Sequence, residues 1–279
     1  MEHRLFGPTK MEVSTIGEGT WYFEESERNA AISALKQGLD LGINHIDTAE
    51  LYGDGKAEQI IGESIVGRRD QVFLVSKVRP DHASRKGTIA ACERSLSRLR
   101  TDHLDCYLLH WRGSYPLKET IDAFEDLKRN GKILSWGVSN FDVPDLDEVM
   151  GIVGEGHLAC DQVLYNLNER FIEKGVIPWC EKHGVAVTAY SPFGHGNFPS
   201  SRKGGQILAE VAKVRKATPR QVALRFLTRK STVFTIPKGS SPEHVAENAG
   251  ASDIKLTKED IDRIDSAFPI GRSPDFPPW

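Results

Sequence analysis

Apolar residues in this chain fall into two kinds of run that alternate. Short blocks at 13–16, 43–47, 72–76, 104–109, 133–138, 159–164, 186–190 and 233–237 are apolar at consecutive positions. That is the pattern of strands covered on both faces. Between them lie stretches whose apolar positions recur at helical spacing: 28–41, 57–66, 86–99, 117–130, 143–153, 174–183, 221–227 and 243–248. In the first, Ile32, Leu35, Leu39 and Leu41 form one stripe and Gly42 ends it. Gly131 and Gly184 end two others, and Thr218-Pro219 and Ser241-Pro242 open two more. A last helix starts at Thr257, with Asp260 three residues on as in a capping box. Ahead of all this, 4–13 reads as a short β-hairpin turned at Gly7-Pro8.

Eight βα units without a linker or low-complexity tract predict an α/β chain that closes as a (β/α)8 TIM barrel with an N-terminal β-hairpin. A single domain over 1–279 is expected, with a doubly wound sheet as the second choice. The formal net charge of −3, with no basic block, argues against a nucleic-acid partner. No apolar run approaches the roughly 20 residues that span a bilayer, so no membrane is expected. The first residues, Met1 to Pro8, lack the apolar core of a signal peptide. Cys92, Cys106, Cys160 and Cys180 show no paired spacing. They are expected to be reduced, with no metal site, in a cytoplasmic protein. A monomer is expected because no long exposed apolar stripe stands out.

Polar residues stand where several of the strand blocks should simply stop. Asp47 and Tyr52 follow one block, Lys77 the next and His110 the third, with starts about 30 residues apart, one βα unit each. Strand C-termini converge on one face of a parallel barrel, and that face carries the chemistry. A phenol with an unperturbed pKa near 10 serves as a general acid at neutral pH if a nearby cation lowers that value. Lys77 supplies the cation, Asp47 holds it, and His110 orients a carbonyl oxygen.

The blocks that end this way resemble the aldo-keto reductases. The matching stretches are Gly17-Glu-Gly-Thr-Trp21, Asp47-Thr-Ala-Glu-Leu-Tyr-Gly53, Val75-Ser-Lys77, Leu108-Leu-His110, Gly137-Val-Ser-Asn140, Asp161-Gln162 with Tyr165-Asn166, Ala189-Tyr-Ser-Pro192, Ile236-Pro-Lys238 and Glu247-Asn248. They run in order along nearly the whole chain. Leu109-His-Trp-Arg-Gly-Ser114 and Pro178-Trp-Cys180 are similar to the bacterial branch associated with methylglyoxal and other 2-oxoaldehydes.

The resemblance implies reduction of aldehydes and reactive ketones by hydride transfer from NADPH, with Asp47, Tyr52, Lys77 and His110 as the catalytic set. It implies substrate contacts at Trp21, Tyr52, His110 and Trp111. It places the carboxamide end of the cofactor at Ser139, Asn140 and Gln162 and the nicotinamide ring on Tyr190. Further cofactor contacts follow at Gly19, Thr20, Trp21, Asp47, Ser191, Phe193, Ile236, Lys238, Gly239, Ser240, His244, Glu247 and Asn248. Where the family commonly has a serine after the lysine and an arginine six residues on, this chain has Gly239 and His244. A permanent forked cation is absent there, so NADH is expected as a second cofactor, with NADPH preferred through Lys238.

Other readings are weaker. Tyr52 and Lys56 match the Y-x-x-x-K of short-chain dehydrogenases, but Gly17-Glu-Gly-Thr-Trp-Tyr22 lacks the third glycine of a Rossmann turn. His45 and Asp47 resemble a metal pair without further ligands. A cofactor-binding regulatory subunit with little turnover is the alternative from another class. His82, His157, His183 and His195 carry no pattern and are read as surface or core residues. Phe276 and Trp279, in the proline-rich tail, pack either on the barrel exterior or over its mouth.

Overall fold

The computed structural model describes residues 1–200 and 203–271, so the tail residues Phe276 and Trp279 lie outside the described residues. The strands β1 (His3–Leu5) and β2 (Glu12–Ser14) pair antiparallel as the expected hairpin. Its turn is a 3₁₀ segment, Gly7–Thr9, that ends on Lys10 in left-handed backbone. Only glycine suits position 7. Its φ is +53°, and a Cβ would stand 2.2 Å from the Ala159 carbonyl oxygen. This approach sets the hairpin across the base of the barrel and drives Phe6 into it.

Strands and helices then alternate. They are β3 (Glu18–Gly19), α1 (Arg28–Asp40), β4 (His45–Asp47), α2 (Lys56–Ser64), β5 (Phe73–Val78), α3 (Arg85–Leu99), β6 (Leu104–Leu109) and α4 (Leu117–Arg129). There follow β7 (Ile133–Ser139), α5 (Val143–Val153), β8 (Leu158–Leu164), α6 (Val176–His183), β9 (Ala186–Tyr190) and α7 (Lys203–Arg215). The chain goes on through α8 (Pro219–Leu227), β10 (Val233–Thr235), α9 (Pro242–Gly250) and α10 (Lys258–Ala267). Among the described residues, β3 to β10 form one sheet of eight parallel strands in sequence order. A parallel bridge from Ile16 to Thr235 joins its two edges. There the Gly17 N–H donates to the Thr235 carbonyl at 2.8 Å, and the Thr235 N–H to the Thr15 carbonyl at 2.9 Å. The (β/α)8 barrel and its hairpin are as the apolar blocks predict.

Two expectations need correction. The block 13–16 is not the first barrel strand. Val13 and Ser14 belong to the hairpin, Ile16 only bridges, and the strand proper is Glu18–Gly19. The reason is packing: Val13 is drawn with Phe6 into the apolar base of the barrel. The helix α7 lay outside the expected elements, because Gly204-Gly205 weakens the helical reading. Its stripe of Leu208, Val211 and Ala212 is buried all the same, and a Cβ on Gly204 would meet the Phe268 ring at 2.4 Å. Elsewhere the punctuation holds. Thr218 and Thr257 both make full capping boxes, and Gly131 and Gly184 both take positive φ.

Candidate active site

Side chains alternate between the two faces of a strand, so every second residue points into the barrel. Reading upward, β5 presents Phe73, Val75 and Lys77, and β6 presents Cys106 and Leu108 with His110 just past its end. β4 presents His45 and Asp47, and β8 presents Cys160 and Gln162. The lower members form one buried apolar cluster with Phe6, Val13 and Phe234. The upper members are polar. Sequence position along each strand therefore becomes height in the barrel, and the polar residues collect at its C-terminal mouth.

At that mouth the four residues meet. Lys77 Nζ donates to Asp47 Oδ1 at 2.6 Å, to the Thr48 carbonyl at 2.8 Å and to Tyr52 Oη at 3.3 Å. The same ammonium lies 4.9 Å from the Tyr52 ring centroid. Asp47 uses its other oxygen to accept from Gln162 Nε2 at 2.7 Å. The His110 ring stands edge-on to Tyr52 at 5.8 Å, and its Nδ1 has no hydrogen-bond partner among the described residues. Asn140, in left-handed backbone at φ +62°, donates from Nδ2 to the His110 carbonyl and to Ser139 Oγ, both at 3.1 Å. The Tyr190 hydroxyl donates to Asn140 Oδ1 at 2.8 Å. The Ser139 hydroxyl donates to the Gln162 carbonyl at 2.7 Å, so one hydrogen-bonded web spans six strand ends, β4 to β9.

Burial dominates the electrostatics. It works to lower the Lys77 pKa, but Asp47 and Tyr52 outweigh it and the net direction is upward, which keeps the ammonium charged. Burial pushes the Asp47 carboxyl up, against the pull of Lys77 and Gln162. The expected lowering of Tyr52 is not the net result. Burial raises the phenol, Lys77 pulls it back, and Asp47 adds to the rise. His110 is held well below the ordinary histidine range by burial first, with the charges of Lys77 and Arg79 adding to it. The site pairs a protonated phenol with an ammonium and a neutral imidazole.

A cleft of about 700 Å³ opens above this web. Asp47, Tyr52, His110 and Trp111 line it, as do Ser139, Asn140, Gln162 and Tyr190. Gly19, Thr20 and Trp21 form one wall, and Ser191, Phe193, Ile236 and Lys238 another. Lys77 is fully buried beneath and meets the lining through Tyr52 and Asp47. Gly239, Ser240, His244, Glu247 and Asn248 stand off the lining, on the loop before α9 and on α9 itself. Glu247 accepts there from the Thr218 hydroxyl at 2.7 Å. Gly239 is tightly packed, since a Cβ would come within 2.7 Å of Val245 Cγ2.

Several lining residues escaped sequence reasoning: Tyr22, Leu51, Pro192, His195, Gly196 and Arg220. His195 is exposed, as a surface residue would be, but it also borders the cleft, and its ring meets Trp21 edge-on at 5.1 Å. Tyr22 stacks on Trp21 at 4.4 Å. The Gly-His-Gly of 194–196 was the available sign, since all three take positive φ in a sharply turned loop.

The Aldo/keto reductase family model matches residues 15–268. The chain belongs to this family. It is 41% identical over 262 residues to methylglyoxal reductase YeaE of Escherichia coli, covering 93% of this chain and 92% of that protein. It is 34% identical to glyoxal reductase of Bacillus subtilis, covering 92% of this chain and 91% of that one. An aldo/keto reductase from Klebsiella pneumoniae, solved with NADP and acetate, superposes with a TM-score of 0.92 at 42% identity over 99% of both chains. This aldo/keto reductase carries its polar web at the strand C-termini.

The lining suits a dinucleotide. Gln162, Asn140 and Ser139 offer amide and hydroxyl groups side by side, and Tyr190 offers an aromatic body. Gly19 borders the cleft and packs too closely on the Ile236 backbone to carry a side chain, since a Cβ would stand 2.5 Å from that carbonyl oxygen. Burial lowers the Lys238 pKa against the pull of Glu24 and Glu25, and its ammonium rests on the Tyr22 carbonyl at 3.1 Å.

Proposed function

We propose that this aldo/keto reductase reduces aldehydes and reactive ketones to alcohols with NADPH, and that 2-oxoaldehydes such as methylglyoxal are among its substrates. The observation that carries the reading is the chain of contacts from Asp47 through Lys77 to Tyr52 under an open cleft, with His110 beside the phenol. A bound reduced nicotinamide supplies hydride to the carbonyl carbon. Tyr52 gives its phenolic proton to the oxygen as negative charge develops there. The O–H bond of the phenol breaks, the O–H bond of the alcohol forms, and the phenolate faces the Lys77 ammonium until solvent returns the proton. Stabilising that developing charge is the largest contribution expected of the site. His110, neutral, holds the carbonyl oxygen by a hydrogen bond.

Ser139, Asn140 and Gln162 would hold the carboxamide, and Tyr190 would carry the ring. Lys238 would meet a phosphate. NADPH is preferred through Lys238, and NADH serves as a second cofactor because Gly239 and His244 replace a serine and an arginine. The packing of Gly239 against Val245 means a serine there requires a shift of that neighbour. The chain works as a single catalytic barrel and as a monomer in the cytoplasm.

The test is oxidation of NADPH and NADH by the purified chain with methylglyoxal, phenylglyoxal, aromatic aldehydes, sugars and diketones. The highest kcat/KM is expected with 2-oxoaldehydes. NADPH preference is expected within about 100-fold, the size of one or two lost charge-assisted bonds. A folded chain that turns over none of these carbonyls would overturn the reading.

A further inference from the structure

Arg220 stands in the first turn of α8 and lines the cleft. Its guanidinium carbon lies 4.7 Å from the ring centroid of Phe193 and 5.1 Å from that of Phe198. Those rings meet edge to face at 5.8 Å and both belong to the loop 191–200, which turns through positive φ at Ser191, Gly194, His195 and Gly196. A cation–π contact uses the charge of a guanidinium and leaves its N–H groups able to donate to a further acceptor. Among the described residues no carboxylate pairs with Arg220, although Arg112, Arg170, Arg215 and Arg229 each have one. Asp47 is the one carboxylate on the lining, and it is bound to Lys77. The outer cleft thus carries two cations, Arg220 and Lys238, that no acid on the lining answers.

We propose that Arg220 is a cofactor-binding residue that grips a phosphate of the dinucleotide, presented on an aromatic shelf built by Phe193 and Phe198. The assignment rests on the reading of the cleft as a dinucleotide site. A planar fork set against two aromatic rings can still make two parallel N–H···O bonds to a phosphate, which the single ammonium of a lysine would not make. The shelf has a second effect. Arg220 ties the loop 191–200 to α8, so gripping the phosphate also steadies the loop that brings Ser191 and His195 to the cleft.

The phosphate is either one of the pyrophosphate pair or the 2′-phosphate of NADPH, and binding measurements separate the two. Dissociation constants for NADPH, NADH, ADP-ribose and 2′-phospho-ADP-ribose would be measured by calorimetry on wild type, Arg220→Gln and Arg220→Lys. Arg220→Gln should weaken NADPH about 10-fold, the size of one charge-assisted contact. Arg220→Lys should recover part of that loss, and the wild-type affinity should fall more steeply with salt than that of Arg220→Gln. A loss shared by all four ligands assigns the pyrophosphate, and a loss confined to the two 2′-phosphorylated ligands assigns the 2′-phosphate. Wild type that binds NADPH, with both variants folded and within twofold of it for every ligand, overturns the Arg220 assignment alone. Wild type that binds none of the four overturns the dinucleotide reading and the assignment together.

Discussion

His45 and His110 are both buried imidazoles that point into the barrel, at opposite ends of it. His45 lies at the base among Phe6, Phe73 and Phe234, with ring centroids 5.7, 5.7 and 6.5 Å away. Neither of its nitrogens has a partner among the described residues, and burial, with Lys77 adding to it, drives its pKa to about 3. His110 stands at the mouth, beside Tyr52, and is driven down by the same two influences, with Arg79 adding to them. A perturbed titration therefore does not separate the two. Access does: His110 borders the cleft and His45 is sealed under the Phe6 plug. In this barrel the mouth is a place where charge can be answered by a ligand, and the base is a place where charge is forbidden.

That contrast can be broken from either end. At the mouth, Tyr52→Phe keeps the ring and removes only the proton. Steady-state reduction should fall by about 10²- to 10⁴-fold, while cofactor affinity stays near wild type. Retention of a tenth of wild-type turnover would take the acid role away from Tyr52. Asp47→Asn strands the Lys77 ammonium in a buried site, so both turnover and stability should fall. Urea unfolding should show a loss of about 3–5 kcal/mol, the usual cost of splitting a buried ion pair. A variant as stable as wild type would mean that the ammonium does not need its partner.

At the base, Phe6→Ala should cost about 3–5 kcal/mol of stability through the cavity it leaves. Its kcat and KM below the melting range should match wild type. A large change in KM would show that the two ends are coupled and would undo the contrast. The smallest effect belongs to His45→Leu. Folded His45 titrates at about 3 against 6.5 for a free imidazole, so the unfolded chain takes up a proton first as the pH falls. Above 6.5 its cost does not depend on pH. Below that, stability is lost toward pH 3 at about 1.4 kcal/mol per pH unit. His45→Leu should remove that slope and leave activity unchanged. Parallel urea midpoints for the two proteins at pH 7 and pH 5 would sink this account.

Legibility in the sequence followed the same division. Asp47, Lys77 and His110 could be read because each ends an apolar block, where a buried strand has no other use for charge. Their meeting point followed from the barrel alone, since the strand ends converge. Tyr52, five residues past Asp47, came with them. The first barrel strand could not be read, because it is two residues long and one of them is a buried glutamate. His195 and Arg220 were hidden for another reason. One sits in a glycine-bracketed loop and the other at the start of a helix, and neither position declares which way its side chain turns. The raised titration of Tyr52 was also out of reach, since it depends on how deeply the phenol is enclosed, which no spacing reveals.

The seam between Ile16 and Thr235 sets the order in which this molecule can be made. A ribosome releases the N-terminal half of the ring long before Thr235 exists, so β3 waits with one edge unpaired while strand after strand is added. Contacts this far apart in sequence are slow to form, and an open sheet edge is a template for wrong partners. The two-residue length of β3 limits what that edge can recruit, so the shortest strand stands where exposure lasts longest. Pulse-labelled hydrogen exchange during refolding should find the amides of Gly17 and Thr235 among the last to be protected. Early protection of both would mean that the ring closes before its middle strands are laid down.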